Sequence, residues 1–483
     1  MDDLFFSRDQ KPLLREALPG DSSSFGILAD TALRQTYLPS AHGKALQPDN
    51  IVVTGIRGSG KTFWWAALQN PEIRPLVEAA AQLGDNAVIS VGYGVGRENA
   101  EKFPAAQTLA ALAAKKIPPR HIWMTVVYGQ VLGERAPSEF PRRGDWERRI
   151  RWVIDHPDLV SATLSAQDAL LAKNNQYHLV LFDALDTTAN DWKAMNRITR
   201  GVLQVGVEIR SYRKIRTKIF LRPDQLDDPE ATSFNDASKI TGNPAELEWK
   251  YKDLYGMLWH LLANDRGFGP NFRKVAESIA GVAFGENREI REVPNKLRSD
   301  PDAQRGLFHA LTGPWMGRDR RRGAPYTWLP KHLGDNRGAV SPRSFLTALR
   351  TAAESGEYRE DWKYPLHFED IKAGVRQASL RRVRELNDDY PWIQTLMEPI
   401  GGMNVPCGRG EVFQRWKRNG ALEAIGENPT RLPPAHLKDG PEKVLKDLQE
   451  LGIVAERDDG RINIPDVYRV GYGLGRHGGI KRG

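Results

Sequence analysis

Eight consecutive residues, Gly55-Ile56-Arg57-Gly58-Ser59-Gly60-Lys61-Thr62, have the types and spacing needed to hold a phosphate chain. They satisfy the pattern G-x-x-x-x-G-K-[ST] in full. Glycines let backbone N–H groups turn inward as an anion cradle, and a helix starting there adds positive potential from its N-terminus. Lys61 is placed to reach β- and γ-phosphates, the Thr62 hydroxyl to hold Mg²⁺, and Phe63 to complete the nucleotide-contacting stretch. The motif needs a strand before it and a helix after it. Ile51-Val52-Val53 supplies the first and Phe63-Trp64-Trp65-Ala66-Ala67-Leu68 the second.

Lys61 and Thr62 call for a partner carboxylate at a strand tip. Asp183 ends Tyr177–Phe182, an apolar run without alternation, as in a parallel strand covered on both faces. Asp183 is therefore the candidate to bind Mg²⁺, directly or through water. Asp186, three residues on, is a candidate to orient the attacking water or act as base; capping the next helix is the structural alternative. Arg222 closes the run Thr217–Leu221, at the end of the strand that faces ligand in a parallel sheet. It is a candidate for the γ-phosphate, or else for an ion pair with Asp224 or Asp227. Arg343 begins a helix opened by Ser341 and Pro342 and could close on the phosphates; the plainer reading is an exposed first-turn arginine. Arg200, Arg210 and Arg213 are equal candidates for an arginine finger supplied to a neighbouring subunit. The histidines are scattered without metal-ligand spacing, and no Ser-His-Asp or Cys-His arrangement can be placed.

The elements that must position these residues follow an alternating plan. Ala87–Val91, Tyr177–Phe182 and Thr217–Arg222 read as strands, with Asn190–Val207 as a helix between the last two. Alternating strands and helices predict an α/β phosphate-loop core, a parallel sheet flanked by helices. Beyond Pro223 the spacing turns helical over Leu247–Leu262, and residues 265–335 are rich in Gly, Pro and Arg. Near the C-terminus Pro441–Leu451 reads as a helix stopped by Gly452. Asp458-Asp459-Gly460 then turns between Ile453–Arg457 and Arg461–Ile464, a hairpin signal. This predicts a winged helix-turn-helix, with earlier helices from Trp392–Pro399 and Gly410–Trp416. The expected organisation is an N-terminal arm over 1–45 with a short helix near Ala29–Tyr37, the nucleotide core over 46–235, a helical lid over 236–385 and the winged helix over 386–483.

A chain of 483 residues suggests two to four domains. The single cysteine, Cys407, rules out an internal disulfide and any cysteine-based zinc site, and fits a reducing compartment. The acidic start Met1-Asp2-Asp3 is unlike a signal peptide and no segment approaches the length of a membrane span, so a cytoplasmic setting without membrane is expected. A net charge of +8 permits a polyanionic partner without demanding one. Arg318-Asp319-Arg320-Arg321-Arg322 and Arg476-His477 with Lys481-Arg482 are candidate nucleic-acid contacts; the plainer reading is a solvated loop and tail.

On these residues the chain resembles the AAA+/STAND superfamily of phosphate-loop ATPases. Gly55–Thr62 looks like the loop of origin-recognition-type and STAND members. Leu179–Phe182 followed by Asp183-Ala184-Leu185-Asp186 is similar to the second motif of NACHT/STAND proteins, although Thr187 departs from the further acid often found there. Arg222 matches the arginine that STAND proteins place at the end of the sensor strand, and Ser341-Pro342-Arg343 is similar to the AAA+ sensor 2 motif. The resemblance implies ATP and Mg²⁺ as cofactors. It also implies a switch or motor that couples nucleotide state to self-assembly and a protein effector, in the manner of bacterial antiphage ATPases. A DNA-loading or transposition-type ATPase using its winged helix on duplex DNA is the first alternative. A nucleotide-stabilised binding module with negligible turnover is the second. No Asn-Lys-x-Asp segment follows the fourth strand, which favours ATP over GTP. The resemblance does not reach residues 97–175 or 265–335.

Overall fold

Five short strands form one sheet, β1 (Val52–Thr54), β2 (Val88–Tyr93), β3 (His178–Phe182), β4 (Ile215–Leu221) and β5 (Ala245–Glu246), in the order β2-β3-β4-β1-β5. All four pairings are parallel, with Val53 opposite Phe220 and Leu181 opposite Lys218. The computed structural model describes residues 5–20, 34–84, 86–94, 101–287, 289–356, 359, 361–428 and 430–476. The chain divides into two units, Ser40–Glu248 and a second built from Met1–Pro39 with Trp249–Gly483.

In the first unit, every residue of β3 and β4 is buried, which explains the apolar stretches Leu179–Phe182 and Ile219–Leu221. Arg216, Thr217 and Lys218 are the polar residues buried inside β4, and Lys218 is fully buried. Its Nζ donates to the carbonyls of Ala45, Gln47 and Asn50 at 2.9, 2.9 and 2.7 Å, tying the end of helix Ser40–Leu46 to the sheet. Burial lowers the Lys218 pKa to about 7, opposed by the charge of Asp49. Asp168, buried on helix Pro157–Lys173, accepts from the amides of Arg213, Lys214 and Ile215 at 3.1, 2.7 and 3.3 Å and so fixes the entry to β4. Helices Pro119–Leu132 and Trp192–Ile209 pack closely. A Cβ on Gly201 would meet the Pro119 Cβ at 2.6 Å, and the Trp123 indole donates to the Ile198 carbonyl at 3.0 Å. Four strands were expected; β5, two residues long, is the addition.

The second unit has an aromatic core including Trp259, Phe272, Phe308, Tyr326 and Phe345. Helices Pro342–Glu354 and Phe368–Asp389 cross where Gly374 allows it, since a Cβ there would lie 2.0 Å from the Ala348 carbonyl oxygen. Phe368–Asp389 runs unbroken past residue 385. The winged helix follows: helices Pro391–Met397, Arg409–Arg418 and Pro441–Glu450, then the antiparallel pair Ala455–Glu456 and Ile462–Asn463. Cys407 forms an isolated antiparallel bridge to Ile462 at the edge of the wing. The fold is thus an α/β phosphate-loop core followed by a helical region and a winged helix.

Among the described residues no helix is long and apolar enough to cross a membrane. Most of the helix expected at Ala29–Tyr37, and the basic tail from His477 to Arg482, lie outside the described residues.

Candidate phosphate-binding site

The loop leaves β1 at Gly55 and enters helix Lys61–Gln69. Gly58 and Gly60 have φ of 79° and 105°, a region that side-chain-bearing residues avoid. At Gly55 the demand is space, because a Cβ would lie 2.3 Å from the Ser59 Oγ. Lys61 folds back over the loop, its Nζ donating to the carbonyls of Gly55 at 2.6 Å and Ile56 at 3.0 Å. Desolvation lowers its pKa to about 8, and the charge of Asp183 opposes that fall.

The loop helix is pinned from behind. The Trp64 Nε1–H donates to His42 Nδ1 at 3.0 Å, and His42 Nε2 lies 3.2 Å from the Glu248 carbonyl. Burial pushes the His42 pKa down to about 4, so the ring is neutral and donates through Nε2.

Asp183 stands at the tip of β3, 2% exposed, and its amide donates to the Tyr93 carbonyl of β2 at 3.0 Å. Strand β4 lies between β1 and β3, so the carboxylate reaches the loop from one strand over. Burial raises its pKa; the Thr62 hydroxyl, the Lys61 charge and the Ala184 amide oppose the rise. Its Oδ2 is buried with no hydrogen-bond partner among the described residues. An orphaned carboxylate oxygen beside a threonine hydroxyl is the hard-oxygen pair that Mg²⁺ takes, so Thr62 and Asp183 fit that ion.

Ala184 follows with φ 55° and ψ 32°, a left-handed conformation costing about 1–2 kcal/mol in a residue with a Cβ. It turns the chain into the short 3₁₀ turn Leu185–Thr187 and so presents Asp186. Asp186 does not cap the next helix; Asp191 does, accepting from the Ala194 amide at 2.9 Å. Asp186 Oδ2 accepts instead from Arg222 Nη1 at 3.1 Å, while Arg222 Nε lies 3.2 Å from Asp224 Oδ1. Arg222 is 7% exposed, so both pairs are largely shielded from solvent. The ion pair expected as the alternative for Arg222 therefore forms, with Asp186 as a second partner.

The fold brings Lys61, Asp183, Asp186, Arg222 and Asp224 within electrostatic reach of one another. Two members of this neighbourhood were not singled out from sequence. Asp224 enters the sequence reading only as an ion-pair partner for Arg222. Tyr93, hydrogen-bonded to Thr187 and feeling the Asp186 charge, was overlooked, although its place at the tip of β2 was the available signal.

Arg343 belongs to the second unit, where its Nη1 meets Glu385 Oε1 at 2.9 Å, shared with Arg381 Nε at 3.4 Å. Of the arginines considered for a subunit finger, Arg210 donates to the Lys239 carbonyl at 3.2 Å. Arg213 lies 3.6 Å from Asp168 with its side chain 70% exposed, and Arg200 is half-buried. Arg318, Arg320, Arg321 and Arg322 are exposed on a turn capped by Asp319, which accepts from the Arg321 amide at 2.8 Å.

No protein-family model matches the chain, and no curated protein matches its sequence. Among solved structures it is similar to the ORC2 protein of Aeropyrum pernix in its ADPNP–ADP complexes, at a TM-score of 0.38 and 16% identity, covering 91% of this chain and 89% of that one. The ADP form of ORC2 from the same organism matches at a TM-score of 0.29 and 14% identity, covering 94% and 93%. At these scores neither likeness bears on the reading of the site.

Proposed function

We propose that the chain is a Mg²⁺-dependent ATPase of the AAA+ kind that uses nucleotide state as a switch. The observation that supports this best is the meeting of Lys61 and Thr62 with the orphaned Asp183 Oδ2. Lys61 exchanges its two loop carbonyls for β- and γ-phosphate oxygens, and the amides of Gly58–Lys61 cradle the same oxygens. Thr62 and Asp183 hold Mg²⁺, which when bound offsets the negative charge of the phosphates. Asp186 orients the attacking water. Arg222, balanced between Asp186 and Asp224, senses the γ-phosphate. Arg343 carries the nucleotide state into the helical region, and the output is self-assembly or engagement of a protein effector, in a cytoplasmic antiphage role.

The first test is ATP hydrolysis by purified protein, alone and with duplex DNA, read together with particle size. Turnover that needs Mg²⁺ and is lost in Asp183→Asn supports the reading; no nucleotide binding by the wild-type protein overturns it. DNA-stimulated turnover with larger species instead favours a DNA-engaged ATPase. The observation behind that second reading is the set of four exposed arginines on the turn Arg318–Arg322.

A further inference from the structure

Helix Pro157–Lys173 has two different faces. Val160, Leu164 and Leu171 are buried on the inner one, where Thr163 also donates to the Tyr128 hydroxyl at 3.2 Å. The outer face exposes Leu159 (39%), Ala162, Ala166, Ala169 and Leu170 (50%). Ile154, just before this helix, is 41% exposed. Of six large hydrophobic side chains exposed among the described residues, three thus fall within Ile154–Leu170. Leu159 and Leu170, with the alanines between them, share one exposed helix face, which sets them apart from singly scattered surface leucines.

The charges at the two ends of the stripe identify what covers it. Asp158 is exposed in the first turn and Lys173 in the last, and no charge lies between Leu159 and Leu170 on the exposed side. Leu159 and Leu170 are about 16 Å apart along the axis. If a second identical helix lies antiparallel, Leu159 meets Leu170 of the other copy, the three alanines face each other, and Asp158 meets Lys173 at both ends. The stripe is complementary to itself, the condition for a two-fold contact. Alanines at the crossing let the two axes approach closely.

We propose that Pro157–Lys173 pairs antiparallel with the same helix of a second copy of this chain, about an axis near Ser165. The segment lies outside the resemblance to phosphate-loop ATPases, and the contact does not depend on nucleotide. One helix face is small for an interface, so the dimer is weak, roughly in the micromolar range.

Sedimentation equilibrium without nucleotide, over roughly 1–100 µM protein, tests this. The expected result is a rise from the 54.3 kDa monomer mass towards twice that value, unchanged in Lys61→Ala. Leu159→Glu with Leu170→Glu should stay monomeric throughout. Asp158→Lys and Lys173→Asp should each weaken the dimer at least several-fold, and the two together should restore it. Oxidised Ala166→Cys should form a disulfide dimer, and Leu159→Cys should not. A wild-type monomer across the whole range would overturn the proposal. So would a dimer indifferent to the leucine changes, or crosslinking of Leu159→Cys to itself, which signals a parallel pair.

Discussion

At the scale of single residues, the loop sequence fixes which groups meet but not how they rest without ligand. Lys61 occupies two loop carbonyls that phosphate oxygens must replace. Charge-assisted hydrogen bonds contribute about 1.5–3 kcal/mol each, so Lys61→Ala should weaken ATP binding by about 100-fold or more, measured by titration calorimetry. Asp183 makes a sharper case because its two effects have opposite signs. Its folded pKa is raised, so ionisation weighs against folding once pH exceeds the unfolded carboxyl value of about 4. Asp183→Asn removes that cost. Its nucleotide-free melting temperature at neutral pH should rise, while Mg²⁺-dependent ATP turnover disappears. A variant that melts lower and still hydrolyses ATP would place the cation elsewhere. Asp183 and Thr62 were legible because the motif demands both. The pairing of Asp186 with Arg222 was not, because it depends on the left-handed turn at Ala184, and alanine gives no sign of such a conformation.

At the scale of elements, β3 and the last three residues of β4, Ile219–Leu221, were legible from apolar runs. β5 escaped because two residues carry no periodicity. Lys218 cuts across the pattern, a lysine at the centre of a strand whose every residue is buried. Its side chain serves three carbonyls at the end of Ser40–Leu46, a role written in the third dimension rather than in β4 itself. Its folded pKa of about 7 lies below the ordinary lysine value, so the unfolded chain binds the extra proton between about pH 7 and 10. The Lys218 contribution to stability therefore rises with pH across that window. Lys218→Met should destabilise the first unit by about 1–3 kcal/mol, the range for leaving buried carbonyls unsatisfied. The gap to wild type should widen from pH 7 to pH 9 in denaturant melts. A gap that stays constant or narrows would show that Lys218 keeps its charge.

At the scale of the whole molecule, the order of core, helical region and winged helix was legible from changes in periodicity and from the hairpin signal at Asp458-Asp459-Gly460. The neutralisation of charges on the winged helix was not. Its helix Pro441–Glu450 exposes Glu442, Lys443, Lys446 and Glu450, two of each sign. On the wing, Arg461 is held by Asp459 at 2.9 and 2.7 Å, and Glu456 pairs with Arg409. Arg415, Lys417 and Arg418 remain as further exposed cations on Arg409–Arg418. The turn Arg318–Arg322 offers four exposed guanidinium groups beside one carboxylate. Phosphate contacts release counterions, and each lowers the slope of log affinity against log salt by about 0.9. Any retention of duplex DNA should therefore depend chiefly on that turn. Replacing Arg318, Arg320, Arg321 and Arg322 by serine should flatten the salt dependence by about three units in fluorescence anisotropy. Replacing Lys417, Arg418, Lys443 and Lys446 should change it by about one unit or less. The reverse ranking would put DNA on the winged helix, leaving the arginine turn as a solvated loop. If neither set changes the slope, DNA is not the polyanion the +8 charge serves. The winged helix, with its balanced charges, would then be free to meet a protein, as the switch reading requires.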